Sequence, residues 1–248
     1  MTWRFEESWP GLRTPADTAS VSSGVLGGDP ATTTAALDQW LWGSCTGPLV
    51  LDGFLDRDLA RRCEGEVRSL QRWERQCRAY VGNADPVDLD EADWATHPDR
   101  AALHDYYPGL ADELTDSSTR GLQRFIGGCV TGRRLKDWLS ARLGIAIGDR
   151  ASFELVRYRE GDQIRPHQDL IAGRMLAVLW YIDSSIQPGE GSALVVDHAD
   201  GRTWVVEPTF NRIVIVPIRT DLRHQVMRRT SDRIGRYTAS VGIYAPGY

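Results

Sequence analysis

From residue 150 onward the chain is a succession of short apolar or alternating runs split by Gly, Pro, Asp and Asn. The runs are Phe153–Tyr158, Met175–Ile182, Ala193–Val196, Thr203–Val206, Ile213–Val216, Gln225–Met227 and Tyr237–Tyr244. Side chains alternate faces along a strand, so runs of this length between turn signals read as strands. No helical pattern is interleaved with them, which excludes a parallel sheet built from strand–helix–strand units. The pattern predicts an antiparallel two-layer β-structure of jelly-roll type.

The first 150 residues read differently. Residues 1–35, rich in Gly, Ser, Thr and Pro, predict a loosely ordered arm. Pro48–Asp52 reads as a short strand, and Asp56 as the cap of a helix from about Leu59 to Cys77. Residues 82–118 are acidic and broken by Pro86, Pro98 and Pro108, which predicts an irregular insertion of the kind that serves as a lid; His97 and His104 fall in it and look peripheral. Residues 119–143 carry apolar side chains at helical spacing and predict one helix, or two broken near Gly132. The expected fold is α+β. A double-stranded β-helix (jelly-roll, cupin-like) core at 150–248 carries a helical support region, 36–149, in one integrated domain.

Apolar and charged fractions of 42% and 25% are those of an ordinary globular chain. No apolar run reaches the ~18–20 residues of a spanning helix, and the N-terminus has acids and a proline where a signal peptide needs an apolar stretch. A cytoplasmic protein with no membrane partner is expected. Net charge is −5, and no basic stripe marks a nucleic-acid surface. Residues 151–248, however, hold twelve arginines against eleven acids, which suits small anionic ligands. Cys45, Cys63, Cys77 and Cys129 form no C-x-x-C pair and read as free thiols, most of them on helices.

His167-Gln-Asp169 follows the first of the predicted strands. In extended chain, residues i and i+2 face the same way, so this imidazole and carboxylate can reach one ion together. His224, 57 residues on, precedes another strand and can return beside them in a jelly roll. Two histidines and one carboxylate on one face of an octahedral ion, with open positions opposite, is the ligand set of non-haem iron(II) oxygenases. His198, in a predicted hairpin tip, is a weaker third ligand. Arg236, twelve residues after His224 with Thr238 two further on, offers a planar cation and a hydroxyl for a dicarboxylic co-substrate. Arg233 competes for that role from a predicted turn.

These segments resemble the prolyl-4-hydroxylase-like Fe(II)/2-oxoglutarate-dependent oxygenases. The resemblance runs through Phe153–Gly161, Arg165-Pro-His-Gln-Asp169, Leu176–Ile182, Pro188–Leu194, Asn211–Pro217, His224-Gln-Val and Arg236-Tyr-Thr238, over about residues 150–245. It implies Fe(II) held by His167, Asp169 and His224, 2-oxoglutarate as co-substrate with its C5 carboxylate on Arg236, and O2 as oxidant. It further implies that Tyr181 supports that carboxylate and that Tyr158 lines the co-substrate pocket. Ser192 stands where a second glycine is usual, and the interval from His224 to Arg236 is a residue or two long. Asp169 is present, which disfavours a halogenase.

The implied activity is oxidation of an unactivated C–H bond, hydroxylation by default, with desaturation or oxidative cyclisation as variants. The expected substrate is a small molecule, a free amino acid or similar carboxylate of specialised metabolism. Arg165, Trp180 and Arg223 are the candidate substrate contacts. Two alternatives stay open: a jelly-roll metalloenzyme that does not use 2-oxoglutarate, and a protein or peptide prolyl hydroxylase.

Overall fold

The computed structural model describes residues 47–79, 87–108, 136, 140 and 146–248. The expectations for residues 1–35 and, save for 136 and 140, which are helical, for 119–143 lie outside them. In order the elements are β1 (Leu49–Leu51), α1 (Arg57–Ser69), β2 (Glu74–Ala79), β3 (Val87–Asp88), α2 (Glu91–Thr96), β4 (Arg100–Tyr106), β5 (Ala151–Tyr158) and β6 (Gln163–His167). There follow β7 (Arg174–Tyr181), β8 (Leu194–His198), β9 (Thr203–Val206), β10 (Arg212–Pro217), β11 (Leu222–Val226) and β12 (Gly235–Tyr244). All pairings are antiparallel.

A larger layer runs β1-β10-β7-β12-β5 and a smaller one β6-β11-β8-β9. The jelly roll predicted from the strand pattern is the observed fold. Strand β7 explains why that pattern reads as continuous apolar sequence. Alternate residues Leu176, Val178 and Trp180 face α1, joined by Leu155, Ile213, Ile215, Ala239, Val241 and Ile243 of neighbouring strands. Ala177 and Tyr181 face the other layer, against Leu194, Val196 and Leu222. Both faces are covered, so both are apolar.

The α1 helix starts where the sequence predicts. The Asp56 carboxylate accepts from the amides of Asp58 and Leu59 at 3.1 Å, satisfying two of the first-turn donors. Leu59, Ala60, Cys63 and Val67 form its buried face. The helix ends at Ser69, not Cys77, because Leu70 turns to extended backbone and Glu74–Ala79 become a strand. Cys63 is therefore helical and Cys77 lies in β2; both are buried.

Residues 87–108, expected as irregular insertion, are mostly regular: β3, α2 and β4. One edge of β4 pairs with β2. Its other edge is shared, Ala102 and Leu103 pairing with β6 and Asp105 and Tyr106 with β5. Strands β5 and β6 are thus one run of chain that steps from the larger layer to the smaller at a corner, residues 159–162. Two fully buried carboxylates hold that corner. Asp162 accepts from the Arg159 amide at 2.8 Å and takes the Arg75 guanidinium on both oxygens, at 2.5 and 2.8 Å. Asp105 accepts from Arg157 Nε and Arg159 Nε at 2.8 and 2.9 Å. His104 is not peripheral: it is 3% exposed, with its ring 5.7 Å from that of Tyr158.

Candidate active site

Strands β6 and β11 place His167 and His224 directly opposite each other, with ring centroids 4.2 Å apart. Asp169, just past β6, has φ 50°, and this sharp turn brings its carboxylate back between the two rings. Oδ1 lies 3.3 Å from His167 Nε2 and Oδ2 lies 3.4 Å from His224 Nε2. One ligand atom from each residue lies within 4.8 Å of the others, the only such cluster among the described residues. The His167 Nδ1 sits 2.9 Å from the Arg165 carbonyl. An Nδ1–H donates to that carbonyl, which fixes the ring and leaves Nε2 as the nitrogen turned towards the cluster, the one a metal ligand uses.

The electrostatics suit a cation. Burial would raise the Asp169 carboxyl, but hydrogen bonds with His167 and His224 and the charges of His167 and Arg174 hold it well below the usual carboxylate range. Burial, and then the neighbouring His167, lower the His224 imidazole and keep it neutral. An ionised carboxylate at Asp169 and a neutral imidazole at His224 are ligating forms. Arg174, at the start of β7, was not anticipated. Its Nη1 lies 3.0 Å from Asp169 Oδ2, and its Nε is buried without a partner. It crosses over Gly242, where an added Cβ would come within 2.9 Å of that Nε.

Tyr158, Tyr181, Thr238 and Arg236 come together on the larger layer. Thr238 stands in register with both Tyr181 and Val156. Arg236 is 2% exposed, in a bulge of β12 between Gly235 and Thr238, with φ 49°. Its guanidinium carbon lies 4.5 Å from the centre of the Tyr158 ring and 5.2 Å from that of Tyr181. Nε and Nη2 of Arg236 and the hydroxyl of Tyr181 are buried and unpartnered. Orphaned buried donors are rare and costly, and a carboxylate is the group that satisfies a guanidinium fork. The donor set therefore fits the far carboxylate of 2-oxoglutarate. Burial raises both phenols, that of Tyr158 to about 12, so both remain protonated. The Thr238 hydroxyl donates to the Arg236 carbonyl at 3.2 Å and thereby holds the bulge.

Arg233, the rival anchor, is 57% exposed and paired with Glu190. Arg229 accounts for the long interval before Arg236. It is 1% exposed, and its Nε and Nη2 donate to the Arg233 carbonyl at 3.0 and 2.9 Å, packing the extra loop residues against β12. No sequence pattern marks such an arginine.

Two expected substrate contacts are corrected. Trp180 is fully buried on the face of β7 that meets α1, edge-on to Phe54 at 6.3 Å, and donates to Asn211 Oδ1 at 3.2 Å. It is a core residue. Arg223 is exposed between the buried Leu222 and His224, and strand alternation turns it away from the site. Arg165 is half-buried in β6, where a bulge breaks the simple i, i+2 relation to His167. His198 pairs with Asp200 and Asp221 near the hairpin end, apart from the triad.

The family model described as the 2OG-Fe(II) oxygenase superfamily matches residues 153–243. A search of curated proteins gives no match to this chain. Among solved structures the chain resembles a prolyl-4-hydroxylase from Pseudomonas putida at 19% identity and TM-score 0.58, covering 87% of this chain and 100% of that one. It resembles a Trichoplax adhaerens prolyl hydroxylase in complex with a hypoxia-inducible-factor peptide fragment at 14% identity and TM-score 0.60, over 86% and 91% of the two chains. It also resembles SnoN, a non-haem α-ketoglutarate-dependent epimerase from nogalamycin biosynthesis, at 15% identity and TM-score 0.55, over 88% and 87%. The His-Asp-His cluster and the buried arginine thus lie inside the segment that matches the 2OG-Fe(II) oxygenase superfamily model, on a fold that the chain shares with these solved structures.

Proposed function

We propose that this protein is a 2-oxoglutarate-dependent dioxygenase that oxidises an unactivated C–H bond of a small carboxylate-bearing molecule, a free amino acid or a close derivative, with hydroxylation as the default outcome. In this reading His167, Asp169 and His224 hold Fe(II), and Arg236 with Tyr181 takes the C5 carboxylate of 2-oxoglutarate over the Tyr158 ring. The observation that carries it is the buried, unsatisfied guanidinium of Arg236. Bound iron(II), 2-oxoglutarate and O2 supply the oxidising chemistry, with succinate and CO2 as co-products.

The protein's own part is positioning and exclusion of water. The Arg165 carbonyl fixes the His167 ring, and Arg174 orients the Asp169 carboxylate. Arg174, with its unpartnered Nε, and Arg165 supply the positive charge that favours a carboxylate substrate. Leu170 and Ile171, exposed beside Asp169, give its hydrocarbon part an apolar rim.

Succinate formation from 2-oxoglutarate, with Fe(II), ascorbate and a panel of free amino acids and proline-containing peptides, tests this. Stimulation by one amino acid, lost in His167→Ala together with retained iron, is the expected result. Stimulation by peptides alone would move the assignment to a peptidyl hydroxylase, the reading favoured by likeness to the two prolyl hydroxylases. Retained iron with no use of 2-oxoglutarate would overturn the whole reading.

A further inference from the structure

Arg236 faces its pocket only because its backbone lies in the left-handed region, which side-chain-bearing residues rarely occupy unless their surroundings impose it. Asp183 supplies that constraint. It leaves the end of β7 beside the β12 bulge and is 1% exposed. Its Oδ2 accepts the backbone N–H of Arg236 at 2.8 Å. Its Oδ1 accepts from Arg68 Nη2 at 2.5 Å and from the amide and hydroxyl of Ser185 at 2.9 and 2.8 Å.

These four contacts are all donors to one of the two Asp183 oxygens, so an amide nitrogen in place of either oxygen would face a donor and find no acceptor there. Helix α1 secures the same loop a second time. The buried Glu64 takes the Ser184 amide and hydroxyl on Oε1 at 2.7 and 2.6 Å. The bulge leaves no spare room, since a Cβ on Gly235 would come within 2.8 Å of Asp183 Oδ2 and of Arg229 Nη2.

We propose that Asp183 is a positioning residue for 2-oxoglutarate: its carboxylate clamps the left-handed Arg236 amide, and through Arg68, Ser185 and the Glu64–Ser184 contacts it ties the aim of the guanidinium to α1. This rests on the assignment of Arg236 as the co-substrate anchor. Asparagine cannot replace the aspartate, because one oxygen cannot face Arg236 and Ser185 at once, and its amide would oppose a donor on whichever side it took.

The experiment titrates 2-oxoglutarate, and separately Mn(II), into the full chain and into Asp183→Asn and Asp183→Ala, following binding by calorimetry, with folding checked by near-ultraviolet circular dichroism. The expected result is 2-oxoglutarate affinity weakened tenfold or more in both variants with Mn(II) affinity within twofold of the parent. In turnover, the KM for 2-oxoglutarate rises more than kcat falls. Unchanged 2-oxoglutarate affinity in a folded variant would overturn the proposal, as would an equal loss of Mn(II) affinity, which marks a general structural role. If the parent itself takes Mn(II) but no 2-oxoglutarate, the co-substrate reading has failed instead. Should both substitutions prevent folding, Arg68→Ala with Ser185→Ala loosens Asp183 without removing it. Weaker 2-oxoglutarate binding with Mn(II) retained then supports the clamp, and no change refutes it.

Discussion

Replacing Arg236 by methionine isolates the charge while keeping an unbranched side chain of similar reach. In the free protein the guanidinium holds a cation–π stack on Tyr158 but leaves Nε and Nη2 unsatisfied. The stack is worth about 0.5–2 kcal/mol and each buried orphan donor costs about 1–3 kcal/mol. The ligand-free variant should therefore unfold within about 1 kcal/mol of the parent, or be more stable. Binding behaves differently. Losing one partner of a buried charge pair costs about 2–5 kcal/mol, a rise in Kd of roughly 30- to 5,000-fold. At 2-oxoglutarate one hundred times the parent Kd, the ligand adds about 2.7 kcal/mol of stability, and a variant weakened about 100-fold gains only about 0.4 kcal/mol. For a chain of this size that is a rise in Tm of about 5–11 °C against about 1 °C. Thermal unfolding with Mn(II), with and without 2-oxoglutarate, reads both quantities. A full ligand-induced rise in Arg236→Met would refute the anchor. A large loss of stability in the ligand-free variant would show the arginine to be structural.

Three further outcomes follow from the same geometry. Burial first, and then the charges of Arg78, Arg75 and Arg236, lower the His104 imidazole to about 3, whereas an unfolded histidine titrates at about 6.5. Between those values the unfolded chain takes up a proton the folded chain refuses, so this contribution is complete above about pH 6.5 and shrinks as pH falls, by up to ~1.4 kcal/mol per unit. Urea unfolding at pH 6.5 and 5.5 should show a fall larger by roughly 1 kcal/mol in the parent than in His104→Phe; parallel falls contradict the assignment. Ser192→Gly should raise stability by about 0.5–2 kcal/mol in chemical denaturation, because Ser192 sits at φ 66° with a buried, unpartnered hydroxyl; a loss would show that the hydroxyl has a partner in solution. Trp180→Phe should cost about 1–3 kcal/mol of stability through the lost bond to Asn211 and the lost volume, with 2-oxoglutarate and metal affinity unchanged; altered ligand affinity in a folded variant would return Trp180 to the site.

The strands after residue 150 were legible because their cores are covered on one or both sides by apolar partners that the sequence itself displays. His167, Asp169 and His224 were legible for another reason: metal chemistry restricts which residue types can serve, and spacing does the rest. Arg236 could be chosen over Arg233 from order along the chain, but only burial decides between them. Strand β4 was illegible because its charged residues imitate a surface loop. Asp105 is buried with three arginines to neutralise it, Arg75, Arg157 and Arg159, each 30 or more residues away, and no local window contains those pairings. Trp180 and Tyr181 are adjacent aromatics on opposite faces of β7, and which face meets α1 depends on a helix over a hundred residues earlier. Asp183, Arg174 and Arg229 act through backbone groups or other side chains, and such roles leave no motif.

The shared edge of β4 has a consequence for anyone cutting this chain down. The segment with the recognisable signature supplies both the histidines and the arginine, yet it steps between layers at its corner and leaves the flanks of β5 and β6 to be covered by a strand from much earlier in the sequence. An excised C-terminal half would expose two neighbouring rows of unmet backbone amides and carbonyls, a ready template for intermolecular pairing. Strand β4 is thus the seam between the metal-bearing and arginine-bearing layers, and a minimal version of the protein has to keep it.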